Sequence, residues 1–115
     1  MPGLSIHVVD VTQGRVATGM HVEVHAVDPP SLLCAGPVAA SGSLESPALT
    51  SRLDAGVYEA RFKVADFYRS VGVALPPVPF LDVAVFRFGI SNPEQHYHLP
   101  MKLTPWGLSC FRGGA

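Results

Sequence analysis

The sequence predicts an all-β fold, a two-sheet antiparallel β-sandwich with one short helix, and three observations carry that prediction. Apolar and polar residues alternate with a period of two in one segment after another, the pattern of half-buried strands. Eleven glycines and eleven prolines interrupt the chain, so long helices have little room and turns are frequent. Hydrophobic residues make up 48% and charged residues 15%, which fills a core and argues against disorder. The 115 residues are expected to form one domain over 1–115.

The elements follow in order. In Leu4-Ser5-Ile6-His7-Val8-Val9-Asp10, Ile6 and Val8 point to one face while Ser5, His7 and Val9 point to the other. A turn at Thr12-Gln13-Gly14 leads to His21-Val22-Glu23-Val24-His25-Ala26-Val27, whose apolar side is Val22, Val24 and Ala26. From Asp28 through Pro47 the composition turns to Pro, Ser, Ala and Gly, which reads as a loop with at most one short strand. Alternation resumes at Val57-Tyr58-Glu59-Ala60-Arg61-Phe62, after a turn at Asp54-Ala55-Gly56. Ala65 to Val71 lacks a period of two and stops at Gly72, as a short helix does. Val83 to Ile90 then sets Ala84, Phe86, Phe88 and Ile90 on one face. In His96 to Leu103 a strand puts His96, His98 and Lys102 on one side and Tyr97, Leu99, Met101 and Leu103 on the other. Trp106 to Phe111 supplies a last strand. Short strands at this spacing pack as two sheets.

Eight Lys plus Arg against nine Asp plus Glu give a net charge of -1, with no basic block of the kind that binds phosphate backbones, so nucleic acid is not an expected partner. The apolar runs are short and broken by proline, and the N-terminus lacks the basic and apolar regions of a secretory leader. The expectation is therefore a cytoplasmic protein that does not cross a membrane. Cys34 and Cys110 are expected to be reduced thiols.

Chemistry is expected at the histidines, because imidazole can hold or pass a proton near neutral pH. His7, His96 and His98 lie on the polar side of strands, whereas His21 and His25 read as ordinary solvated residues. A His-x-His pair projects to one face and resembles half of a zinc site, yet no Cys-x-x-Cys or fixed third ligand accompanies it, so no metal is assigned. No Gly-x-Ser-x-Gly or phosphate-cradling glycine loop is present, which argues against acyl-enzyme and nucleotide chemistry.

Four segments carry a resemblance: Ser5-Ile6-His7-Val8-Val9-Asp10 with Gly14, Gly56-Val57-Tyr58-Glu59-Ala60-Arg61-Phe62, Asn92-Pro93-Glu94-Gln95-His96-Tyr97-His98-Leu99-Pro100, and Phe111-Arg112-Gly113-Gly114. In that order the chain resembles the 5-hydroxyisourate hydrolases, the enzymatic relatives of transthyretin. The resemblance implies a transthyretin-like sandwich, assembled as a homotetramer with active sites between subunits. It implies hydrolytic opening of the ring of 5-hydroxyisourate to 2-oxo-4-hydroxy-4-carboxy-5-ureidoimidazoline, without metal or organic cofactor. His7 and His96 match the family's catalytic histidines, one as base and the other orienting substrate, and Arg112 matches the C-terminal tetrapeptide as a third catalytic residue. His98, Ser43, Phe111, Gly113 and Gly114 are the implied substrate-binding residues.

The departures from the family pattern are specific. Ser41-Gly42-Ser43 stands where the family has Asp-Gly-Arg, so Ser43 replaces the catalytic arginine, and Lys102, Arg52 or Arg112 would have to supply the missing charge. The C-terminus reads Phe-Arg-Gly-Gly with an extra Ala115, where the family usually has Tyr-Arg-Gly-Ser. Two alternatives follow: a divergent hydrolase acting on another ring or carbonyl substrate of a biosynthetic pathway, or a non-enzymatic small-ligand carrier like transthyretin.

Overall fold

A computed structural model of the chain describes residues 2–114. Its strands are β1 (Gly3–Asp10), β2 (Arg15–Val16), β3 (His21–Ala26), β4 (Ser31–Pro37), β5 (Gly56–Lys63), β6 (Val83–Ile90), β7 (His96–Thr104) and β8 (Gly107–Cys110), with helices α1 (Pro47–Thr50) and α2 (Val64–Ser70). They form two four-stranded sheets, β2-β1-β7-β8 and β4-β3-β5-β6. The expected two-sheet, all-β fold is therefore present.

The period of two explains the core. Ile6, Val8, Val22, Val24, Ala60, Phe62, Leu99, Met101 and Leu103 are buried between the sheets, and their strand neighbours turn outward. Such burial stabilises by about 1.5–3 kcal/mol for each large side chain.

Three features differ from the sequence expectation. All described pairings are antiparallel except β1 with β7, which run parallel from Gly3↔His96 to Asp10↔Leu103. The long connection of residues 11–95, which adds β2 to the same sheet and then builds the other one, allows this, since a parallel pair cannot be closed by a tight turn. The helix predicted at Ala65–Val71 is α2, but α1 is a second one, started by Ser46, whose Oγ accepts from the Ala48 amide at 3.3 Å, and by Pro47. The stretch from Asp28 to Pro47, expected as a loop with room for one short strand, holds that strand as β4, longer than expected at seven residues and an edge strand paired only to β3; its weak alternation conceals its length.

Helix α2 is tied to the first sheet by Tyr68. Its hydroxyl donates to Asp10 Oδ1 at 2.7 Å and lies 3.1 Å from the Leu103 carbonyl. Burial pushes the Tyr68 hydroxyl well above its ordinary titration range, and the Asp10 carboxylate adds to that shift. Cys34 and Cys110 are free thiols. Among the described residues no helix is long and apolar enough to cross a membrane.

Candidate active site

The outward face of the β1–β7 pair collects the polar residues that the alternation excludes from the core. In the parallel register Ser5 lies opposite His98, Gly3 opposite His96, and His7 opposite Pro100. Ser5 Oγ stands 2.8 Å from His96 Nε2 and 2.6 Å from His98 Nδ1. One hydroxyl thus joins the two imidazoles of β7. His98 is two register pairs away from the His7↔Pro100 pair and His96 is four pairs away, so the structure sets His98, rather than His96, nearer to His7.

His7 is held by the segment singled out in the sequence. Its Nε2 is 3.1 Å from the Ser41 carbonyl, and because a carbonyl only accepts, that nitrogen carries the proton and Nδ1 carries the lone pair. Ser43 forms a β-bridge with His7. Gly42 is buried against the ring: its φ is +89°, and a Cβ there would stand 2.5 Å from His7 Nε2 and 2.6 Å from Val16 Cγ1. Both the left-handed backbone and the close ring require glycine.

The C-terminal arm runs beside β7. Gly113 donates its amide to the His98 carbonyl at 2.7 Å, and Phe111 is exposed. The guanidinium of Arg112 reaches the backbone carbonyl of His96, with Nη2 at 3.5 Å, but hydrogen-bonds to no imidazole among the described residues. Its Cζ lies 4.0 Å from the ring centroid of Tyr97, a residue buried on the inner side of β7, and its Nη2 donates to Gln95 Oε1 at 3.2 Å. Gly114 is exposed, and Ala115, the extra residue noted in the sequence, lies outside the described residues.

Of the cations named as substitutes, Arg52 donates to Glu94 Oε1 at 2.9 Å and lies 3.5 Å from Asp54 Oδ1. Arg112 is stacked on Tyr97. Lys102 is exposed, on the same face of β7 as His98, and makes no ion pair among the described residues. His21 and His25 sit on the other sheet around Glu23, with His25 Nε2 2.8 Å from Glu23 Oε1, a hydrogen bond that lowers the Glu23 pKa. No group of three His, Cys, Asp or Glu side chains among the described residues is arranged to hold a metal.

A cavity of about 480 Å³ opens beside Ser5, walled by Leu4, Leu44, Pro47 and Leu49. A smaller one of about 290 Å³ lies between Arg15 and Phe67. Neither is lined by His7, His96 or His98, which stand on an open sheet face. Ser5 was not among the expected site residues. A strand serine reads as an ordinary solvated hydroxyl, and only the long-range pairing of β1 with β7 places it between two imidazoles.

The family described as HIUase/Transthyretin matches residues 4–113. The chain belongs to this family. It is 47% identical over 73 residues to a 5-hydroxyisourate hydrolase of Ralstonia nicotianae, covering 63% of this chain and 62% of that protein. A 5-hydroxyisourate hydrolase of Deinococcus radiodurans is 36% identical over 115 residues, covering 97% of this chain and 96% of the relative. Among solved structures, (S)-allantoin synthase superposes with a TM-score of 0.88 at 33% identity, over 97% of this chain and 43% of the longer one. The chain thus spans less than two thirds of the Ralstonia protein and less than half of the synthase.

Proposed function

We propose that this chain, acting over its whole length as one transthyretin-like unit, is a hydrolase that opens the ring of 5-hydroxyisourate. The observation that carries the reading is the histidine face of β1 and β7, where the hydroxyl of Ser5 joins His96 and His98 and His7 projects from the same face of β1. The relative from Deinococcus, matched over nearly all of its length, bears the corresponding name.

The step is hydrolysis of a cyclic amide. Water attacks the ring carbonyl, the ring C–N bond breaks, the carbonyl carbon becomes a carboxylate, and the departing nitrogen takes a proton. Water is a weak nucleophile, so an imidazole accepting its proton contributes roughly 10²- to 10⁴-fold. His7 Nδ1 and His98 Nε2 are the ring nitrogens left without a hydrogen-bond partner among the described residues. His7 and His98 therefore face substrate, and His96 backs His98. Donors near the developing oxyanion supply a second contribution. The reaction as written uses only side chains and water.

An open face does not exclude solvent by itself. This supports a second copy that covers the histidines and closes the site, as in the homotetramer that the resemblance to the family implies. A second reading is supported by Ser43: the group opposite His7 is a neutral hydroxyl, which favours a different ring or carbonyl substrate over an anionic one.

Purified protein should accelerate the decay of freshly generated 5-hydroxyisourate, and His7→Ala and His98→Ala should each remove that acceleration. Decay at the spontaneous rate in the presence of the intact protein would exclude 5-hydroxyisourate and leave the second reading.

A further inference from the structure

We propose that Ser5 is a positioning residue that fixes the tautomer of His98 and couples it to His96, an inference that rests on the hydrolase reading of the same face. Ser5 Oγ lies within hydrogen-bond distance of His96 Nε2 (2.8 Å) and His98 Nδ1 (2.6 Å). A hydroxyl has one proton to donate. With both imidazoles neutral, Ser5 donates to one of these nitrogens and accepts from the other. The third contact sets the direction. His96 Nδ1 faces the Pro2 carbonyl at 3.5 Å, and a carbonyl only accepts, so the His96 proton resides on Nδ1 and its Nε2 is a lone pair. Ser5 donates to that lone pair and accepts from His98 Nδ1–H. The chain of hydrogen bonds then runs from His98 through Ser5 and His96 to Pro2, and it leaves the Nε2 lone pair of His98 free on the open face.

This arrangement suits a base. When His98 Nε2 takes a proton from water, Nδ1 already donates to Ser5, so the imidazolium forms with every hydrogen bond in place and none to be reversed. His98 is also held from the other side, because Gly113 packs on its ring edge, where a Cβ would stand 2.8 Å from Cδ2. Ser5 does not itself touch the reacting atoms; it acts through His98. The side chain that performs this role must carry a hydroxyl and fit a strand, which Thr satisfies and Ala does not.

Nitrogen-15 NMR of histidine-labelled full-length protein, recorded in mildly alkaline buffer, reads the tautomers directly. The expected result is Nδ1–H on both His96 and His98. Ser5→Ala should convert His98 to a mixture of tautomers and lower kcat for 5-hydroxyisourate by roughly tenfold or more with KM little changed, and Ser5→Thr should restore both. A wild-type His98 protonated on Nε2, or an unchanged His98 tautomer in Ser5→Ala, would overturn the proposal. If Ser5→Ala does not fold, the wild-type spectrum decides alone. If the wild type lacks hydrolytic activity, the functional reading fails, while the NMR result still decides whether Ser5 sets the tautomer.

Discussion

Gly113 and His98 are bound twice over: the Gly113 amide donates to the His98 carbonyl at 2.7 Å, and the Gly113 Cα lies so close to the imidazole that a Cβ would meet Cδ2 at 2.8 Å. The C-terminal arm therefore acts on the site by packing, while Arg112 turns its charge to Tyr97. Gly113 is not among the positive-φ glycines, so Gly113→Ala tests contact without backbone strain. It should displace the His98 ring, lowering kcat for 5-hydroxyisourate by roughly tenfold or more, with thermal stability almost unchanged because the arm is outside the core. Steady-state rates and a melting curve on the same sample check this; full activity would show that the His98 ring position does not govern turnover.

The strands and their faces were legible because alternation is local: Ile6, Val8, Leu99 and Met101 lie in the core as their spacing requires, and His96 and His98 share a face for the same reason. Pairing partners were not legible, since the β1–β7 register joins residues more than ninety positions apart for Ser5 and His98. That register decides which histidine lies nearer to His7. Arg112 illustrates a second limit. A motif position identifies the residue, but its direction depends on Tyr97 and Gln95, whose rings and amides no spacing rule places.

Glu59 predicts how stability responds to acid. Its side chain is nearly buried and paired with Arg87 and Arg61 across β5 and β6. The hydrogen bond from Arg87 lowers its pKa, burial opposes that, and Arg61 assists. A carboxyl with a depressed folded-state pKa contributes stability that is complete above its unfolded value, about 4.3, and is lost as pH falls through the folded value. Urea denaturation from neutral pH downward should therefore show stability falling below about pH 5, with a shallower fall for Glu59→Gln. An acid limb of equal slope in the two proteins would assign the loss to other carboxylates.

Lys102 bears on the substrate. A hydrolase acting on an anionic or imide-like ring needs positive charge near the developing oxyanion, and Ser43 leaves the position opposite His7 neutral. Arg52 is occupied by Glu94 and Asp54 and Arg112 by Tyr97 and Gln95, whereas Lys102 is exposed on the histidine face of β7. Lys102→Met should thus lower kcat for 5-hydroxyisourate by about a hundredfold and leave the melting temperature unchanged, since no core contact is lost. Adding Ser43→Arg in that background should recover much of the rate by setting a guanidinium across from His7. A Lys102→Met protein as active as the wild type would rule Lys102 out as the source of charge. Recovery by Ser43→Arg beyond the wild-type rate would instead show that this position had diverged away from 5-hydroxyisourate.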